Sequence, residues 1–453
     1  MGETLQNTSN LNPAALSFLV VMSVVVLLAR RSTAVKALLA TAALVPLGQQ
    51  LVVFGLHLHF LRLLLLVGFC RLLFRREAAG FTMTGLDKLF AAWLLVGLGC
   101  GILRGPSAET FGAAYNAAGT YFFIRILTHD STDLIGHLRL LVFLAIVIGL
   151  FMCLEMKTHR NLFSILGGVP EITVQRGDQF RCQGPFRHPI LAGTFGATLF
   201  PLLAGLWFHS RKKFLVLAGI AGSAIITIAS ASSGPLLTFL AALIGLALWP
   251  LSNHMHWVRR AMVAIVAGLA LVMNAPVWFL IARVSDLVGG TGWYRSHLID
   301  LTLRHFNEWW LIGTAETASW GQSGEILLVD PKSIDIVNHY VAQCVTGGIG
   351  MLGLFLATVV VGFKIIGRCI HSDFEPTLDR KIFWAIGVTL AAHCAAFISV
   401  SYFDQILVFW FWLLAVISSL SVGFKEFILS KNILATPAGD DGRAVSLASQ
   451  TSC

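Results

Sequence analysis

The sequence predicts an all-α, polytopic integral membrane protein, on three observations. Of its 453 residues 56% are hydrophobic and 12% charged, with a mean hydropathy of +0.78, a composition that a soluble domain cannot solvate. Apolar runs of about 20 residues recur along the chain, each long enough to cross a bilayer, where a helix satisfies its own backbone. The cations behind the net charge of +9 are scattered between these runs rather than massed in one soluble patch, which argues against nucleic acid as a partner.

Taken in order, the apolar windows predict spans at 11–29, 37–56, 60–74, 87–103, 111–127, 138–156, 189–208, 214–230, 234–250, 258–281, 346–366, 382–400 and 403–422, about 12–13 transmembrane helices. No basic segment precedes the first window, so Leu11–Ala29 reads as a retained span and not a cleaved signal. The third window is short, and 37–74 is alternatively a re-entrant or tilted pair. Residues 1–435 form one polytopic domain. The stretch 436–453, with Pro437, Gly439, Asp440, Asp441 and a Ser-rich end, reads as a disordered cytoplasmic tail.

Lys and Arg set the orientation. With the N-terminus outside, 21 of the 32 cations fall on inner segments. Most of the rest lie in two long outer loops, 157–188 and 282–345, whose length exempts them from the topological rule. The cationic outer loops therefore need a reason other than orientation.

Loop 157–188 carries Lys157, Arg160, Arg176, Arg181 and Arg187 against Glu171 and Asp178. It ends in Arg181-Cys182-Gln183-Gly184-Pro185-Phe186-Arg187-His188-Pro189, and Pro189 suits the first turn of the following helix. Free N–H groups there, beside Arg181 and Arg187, predict an anion site. The plainer alternative is that these arginines grip lipid headgroups.

Loop 282–345 predicts a helix from Tyr294 to Trp310. Arg295, Ile299, Leu303, Phe306 and Trp310 share one face, and His297, Asp300, Arg304 and Glu308 the other. Arg304 has an acid four residues away on each side and reads as a solvated ion-pair residue. Arg295 has none and projects toward protein or bilayer, where it needs an anion. Trp293, Tyr294, Trp309, Trp310 and Trp320 read as an interfacial aromatic belt, with a sugar-stacking platform as the sharper alternative. The loop closes on Asn338-His339-Tyr340. His339 is either a general base or hydrogen-bond donor at the outer face, or part of a capped helix start. Within or beside the spans, Gln49, Gln50, Asn116, Arg125, Glu155, His393 and Asp404 are the notable polar residues. Buried pairs and packing hydrogen bonds account for most such groups. The eight cysteines show no metal or disulfide spacing, no Asp-x-Asp is present, and neither metal nor cofactor is expected.

Arg181-x-x-Gly184-Pro185-Phe186-x-His188-Pro189, then Arg295 with Trp309 and Gly313, then Asn338-His339-Tyr340 before Gly347-Gly348-Ile349-Gly350, resembles the O-antigen ligase and polymerase superfamily. The resemblance lies mainly in 181–210 and 290–356. It implies a GT-C-like fold and a membrane glycosyltransferase at the outer face of the bacterial inner membrane. Such an enzyme moves a glycan from undecaprenyl diphosphate to an acceptor sugar hydroxyl, on a glycolipid (ligase) or on another lipid-linked repeat (polymerase). A chain-length regulator is a candidate partner. The family's arginine before the central span maps to Arg181, with Arg187 as the alternative, its loop-helix arginine to Arg295 and its late-loop histidine to His339. Arg181, Arg295 and His339 are the implied catalytic residues, and Arg181, Arg187 and Arg295 the implied diphosphate ligands. Family members often carry an acid between the histidine and the Gly-rich step, where this chain has Gln343 and Thr346. Attack opposite the diphosphate predicts inversion. The competing expectations are a multi-span solute transporter or polysaccharide exporter component, and a non-catalytic assembly scaffold.

Overall fold

The computed structural model describes residues 11–53, 56–286, 292–321, 328–330, 333–372 and 378–435. The tail 436–453 and parts of loop 282–345 lie outside them. The first helices are α1 (Pro13–Leu28), α2 (Arg31–Leu44), α3 (Phe60–Phe74), α4 (Gly85–Arg104), α5 (Ala108–Leu127) and α6 (Ser131–Thr158). They are followed by α7 (Pro189–His209), α8 (Lys213–Ala229), α9 (Ser233–Ala247), α10 (Met255–Val272) and α11 (Leu280–Asp286). The chain continues through α12 (Gly292–Arg304), α13 (Phe306–Trp309), α14 (His339–Ile370), α15 (Arg380–Ala396) and α16 (Gln405–Ala435). Three antiparallel hairpins decorate the connections: β1 (Gln50–Val53) with β2 (Leu56–His59), β3 (Val174–Arg176) with β4 (Gln179–Arg181), and β5 (Leu328–Asp330) with β6 (Ser333–Ile334).

The protein is all-α in its framework. Among the described residues six helical stretches are long and apolar enough to cross a membrane: Gly85–Arg104, Ser131–Thr158, Pro189–His209, Trp249–Val272, His339–Ile370 and Gln405–Gly423. α1, α8 and α9 are apolar but shorter. α7 is the central rod, packed by α8, α9 and α15 and buried along most of its length. Small residues set these approaches. A Cβ on Gly196 would stand 2.6 Å from Ser223 O, and one on Gly149 2.8 Å from Gly222 Cα, so α7 and α6 each touch α8 backbone to backbone. α10 stands apart, with no buried residue.

The two ends of the bundle differ in charge. At one end carboxylates neutralise buried arginines. Asp87 accepts from Tyr121 Oη and Ser418 Oγ, both at 2.6 Å, and pairs with Arg125 at 3.4 Å. There too Arg71 binds Glu77 at 2.6 Å and the carbonyls of Val26 and Ala29 that close α1. The opposite end, where α7, α9, α14 and α16 begin and α6, α8 and α15 finish, carries the long loops.

Several expected elements are corrected. The window 37–56 is not one span: α2 ends at Leu44, because Pro46 removes an N–H and holds Val45 extended (φ −104°, ψ 123°). The rest of that window enters the β1–β2 hairpin. Gln49 fastens it, accepting from Asn12 N at 2.8 Å and donating to Leu166 O at 2.7 Å. The helix expected from Tyr294 to Trp310 breaks at His305, where Trp309 Nε1 folds back onto Thr302 O at 2.6 Å. Its buried face is therefore Gly292, Arg295, Ser296, Leu298, Leu301 and Thr302, whereas Leu303, Phe306 and Trp310 are exposed. The aromatic belt is also divided. Trp293 and Trp310 face outward, but Trp309 and Trp320 form a small loop core with Leu298, Ile334 and Val341.

α14 begins at His339, earlier than its apolar window, and is broken at Gly347–Gly348. Gly348 sits at φ +68°, and a Cβ there would lie 2.6 Å from Trp310 O. The carbonyls freed by the break are taken by Arg104, at 2.9 Å from Val345 O and 2.7 Å from Thr346 O. Two substitutions separate these glycines. Gly348→Ala should cost about 2–4 kcal/mol, combining the left-handed penalty with a backbone clash. Gly350→Ala meets open space within the helix and should stabilise by about 0.5–1 kcal/mol. Thermal unfolding in detergent reads both, and equal effects would refute the break.

Candidate functional site

The Gly184-Pro185 turn is built by a carboxylate. Glu155, near the end of α6 and 1% exposed, accepts from Gln183 N at 3.2 Å and Gly184 N at 2.9 Å. Gly184 is at φ +54°, a conformation that disfavours a side chain, and its carbonyl accepts from Asn161 Nδ2 at 2.7 Å. Upstream, Gly177 turns the β3–β4 hairpin, which sets Val174 opposite Arg181 and leaves Arg176 at the end of its strand. Cys182 N then bonds to Ala229 O at 3.0 Å, tying the hairpin to the last residue of α8.

This anchoring delivers Arg181 to the α8–α9 turn. Its side chain is buried (8% exposed), and Nη2 donates to Ser232 Oγ at 2.7 Å. Its Nε is buried with no hydrogen-bond partner. Ser232 is the N-cap residue of α9, but no side chain caps the helix: the Ser232 hydroxyl donates to Ser230 O at 2.9 Å. The first N–H groups of α9 are left for a ligand by position.

Arg295 arrives from the other side. It is 6% exposed, and Nε donates to Ser399 O at 3.3 Å. Its Nη2 lies 3.8 Å from where a Cβ on Gly234 would stand, so it faces the first turn of α9. Among the described residues neither Arg181 nor Arg295 makes an ion pair. Burial pushes both guanidinium pKa values down, and the positive charge of Arg176 pushes them further. His188 shares the same field. The residue is exposed at the surface, yet partial burial, then the charges of Arg181 and Arg176, hold its pKa down to about 4. Its Nδ1 accepts from Ile190 N at 3.1 Å, so the proton of the neutral ring sits on Nε2 as a further donor. Donors from the β3–β4 hairpin, the start of α7, the α8–α9 turn and α12 thus meet with no carboxylate paired to the arginines among the described residues. Such a cluster has the charge and the donors that a polyanion requires.

The expected anion site at the start of α7 is corrected. Ile190 N–H is already capped by His188, and Leu191 N bonds to His188 O at 3.0 Å. The uncapped helix start beside Arg181 belongs to α9, which sequence reasoning missed. The short Ser230-Ala231-Ser232-Ser233-Gly234-Pro235 connection was its only signal. Arg187 also separates from Arg181. Its ion pair is with Asp404 Oδ2 at 3.6 Å, in the α15–α16 turn.

His339 is brought to the same end of the bundle, but inside the protein. Asn338 caps α14 through Tyr340 N at 2.9 Å and Val341 N at 3.2 Å. His339 Nδ1 accepts from Tyr402 N at 3.1 Å, and Gln343 Nε2 stands 3.2 Å from its Nε2. Phe397, Phe355 and Tyr402 enclose the ring. With Tyr402 N–H on one nitrogen and the Gln343 amide against the other, the ring has no lone pair directed at a substrate. It holds the turn that presents Ser399 to Arg295. Arg304, as expected, pairs with Asp300 at 2.8 Å on the exposed face of α12.

No protein-family profile, curated protein or solved structure matches this chain.

His188 reports on the site. Its depressed pKa keeps it neutral through pH 5 in the free protein, and an anion between Arg181 and Arg176 should raise the value. Nitrogen-15 NMR of labelled histidine in detergent, with His188→Gln to assign the resonance, should show an upward shift on adding inorganic pyrophosphate. A ring titrating near 6.5 without ligand would contradict the geometry.

Proposed function

We propose that this chain is a membrane glycosyltransferase of the lipid-linked type. It takes a glycan from undecaprenyl diphosphate at the outer face of the bacterial inner membrane and passes it to an acceptor sugar hydroxyl. The acceptor belongs to a glycolipid or to another lipid-linked repeat, as in the O-antigen ligases and polymerases that its motifs resemble. One observation carries the reading: Arg181 and Arg295 converge, buried and without a carboxylate, on the uncapped start of α9. An apolar bundle with unneutralised donors at one end fits an anion that arrives attached to a lipid.

The chemistry follows from the charges. A glycosyl diphosphate has a good leaving group, and the barrier falls when charge on the departing oxygen is stabilised by donors already in place. Arg181 and Arg295 supply fork-shaped donors, His188 Nε2 and the α9 amides supply neutral ones, and Arg176 adds field from the exposed rim. The hydroxyl attacks the anomeric carbon from the opposite side, which inverts it. His339 is a positioning residue in this scheme, acting through the turn that holds Arg295. The orientation follows the cation bias: the N-terminal segment, Arg62, Arg104 and both long loops lie outside.

Deletion of the gene should abolish long surface glycan. Complementation with Arg181→Ala or Arg295→Ala should fail at unchanged membrane protein level, because loss of one such donor costs about 10²–10³-fold in rate. Gel analysis of surface and carrier-linked glycans reads the result. Single repeats left on carrier or acceptor would indicate a polymerase, and long chains stranded on the carrier a ligase. Normal glycan in the deletion strain would refute the proposal.

A further inference from the structure

A second cluster lies at the same end of the bundle, and its hydrogen-bonding character is the reverse of the first. Asp404 sits in the α15–α16 turn at φ +49°, a left-handed conformation that Asp and Asn adopt more readily than other residues with a side chain. Its Oδ2 is buried with no hydrogen-bond partner, and Arg187 Nη1 at 3.6 Å is too far to provide one. The next residue, Gln405, donates Nε2 to Pro185 O at 2.7 Å, which fixes the amide and leaves Oε1 buried and also without a donor. His59, at the end of β2, lies in the field of Arg62 first, and then of Asp404 and Arg187. Its Nδ1 faces Gln49 O at 3.3 Å, so Nδ1 carries the proton and Nε2 keeps a lone pair.

The first cluster is a set of unspent donors, matched to phosphate oxygens. This one is a set of unspent acceptors, matched to hydroxyl groups. Both hang on the same two segments. Residues 181 and 187 flank the Gly184-Pro185 turn, and Ser399 and Asp404 occupy the connection between α15 and α16. Arg187, which covers Asp404 Oδ2, has a side chain 53% exposed, so a hydroxyl reaches that oxygen by displacing a surface guanidinium rather than core.

We infer that Asp404, with His59, Gln405 and Arg187, forms the acceptor subsite, and that Asp404 is the general base for the acceptor hydroxyl of a glycan. The inference rests on the transferase reading. The acceptor O–H proton passes to Asp404 Oδ2 as the hydroxyl oxygen forms its bond to the anomeric carbon. The bond from that carbon to the diphosphate breaks, and its electron pair leaves on the diphosphate between Arg181 and Arg295. The carboxylate absent between His339 and the Gly-rich step is thus supplied from another element. Burial raises the Asp404 pKa, and Arg187 and then His59 oppose that shift. A raised pKa makes the carboxylate a better proton acceptor.

The test uses purified full-length protein in detergent with undecaprenyl-diphosphate glycan extracted from the producing cells. Asp404→Asn is the decisive variant, because asparagine tolerates the left-handed conformation better than most residues. It should lower kcat by about 10²–10⁴-fold with donor KM and melting temperature unchanged. The wild-type rate should rise with pH through the titration of Asp404, and D404N should lose that limb. Asp404→Glu should recover part of the rate together with a pH limb. Activity of D404N within about threefold of wild type overturns the inference, as does a raised donor KM at unchanged kcat. A D404N rate loss that follows a fall in melting temperature, with D404E stable but inactive, also overturns it. Inactive R181A and R295A beside an active D404N would remove only this inference. Full activity in R181A and R295A would remove the transferase reading itself.

Discussion

A guanidinium placed in an apolar bundle without a carboxylate must find its partners among neutral groups. In this chain those groups come from two short turns. Ser232, between α8 and α9, takes Arg181, and Ser399, after α15, takes Arg295. The segment from Phe397 to Gln405 does more than this. Phe397 O accepts from His339 N at 2.8 Å, Ile398 O from Asn338 Nδ2 at 3.3 Å, and Tyr402 N donates to His339 Nδ1. Asp404 pairs with Arg187, and Gln405 holds Pro185. One turn therefore registers the starts of α14 and α16, the arginine of α12 and the Gly-Pro turn against one another. Each hydrogen bond contributes about 1 kcal/mol net, but leaving one of these buried groups unpaired costs more, which gives the arrangement its rigidity.

The two ends of the bundle divide the electrostatic work. At the far end Asp87 and Glu77 meet Arg125 and Arg71 with nearly every lone pair used, as a structural network requires. At the loop end the capacity is deliberately incomplete. Arg181 Nε lacks an acceptor, and Asp404 Oδ2 and Gln405 Oε1 lack donors. Buried polar groups are ordinarily satisfied, and under the proposed function a ligand completes these two sets, whereas the far end also keeps Thr128 Oγ1 and His137 Nε2 buried without a partner and has no arginine or carboxylate among its orphaned atoms. Small residues allow this by bringing backbones close. Gly234 leaves room for Ser399 and Arg295 against α9, and Gly184 lets Glu155 gather two amides.

Much of the framework was legible in the sequence. The windows at 60–74, 87–103, 189–208 and 214–230 match helices α3, α4, α7 and α8 to within a residue or two, because hydrophobic runs and caps are local signals, and of these α4 and α7 are long and apolar enough to cross a membrane. Arg295 was distinguished from Arg304 by the absence of an acid four residues away, and the structure buries the first and pairs the second. The phase of that helix was misread, because Trp309 bonding back to Thr302 shifts the chain after Arg304 and no local pattern encodes that bond. The β1–β2 hairpin was hidden for a similar reason: its residues are apolar enough for a span, and Pro46 with Gln49 decides against one.

The sequence by itself determined the class of the molecule and the two long loops that carry cations, and it singled out Arg181, Arg295 and His339 as residues to watch. Composition, charge bias and apolar periodicity are properties of neighbouring residues and survive without a fold. Only the tertiary structure decided which groups meet. It sent Arg181 to α9 rather than α7, gave Arg187 to Asp404, enclosed His339 within aromatic rings and left Asp404 with an unspent oxygen. These outcomes depend on contacts between residues as far apart as 63 and 220 positions, whose geometry is set by helix packing and by no local signal.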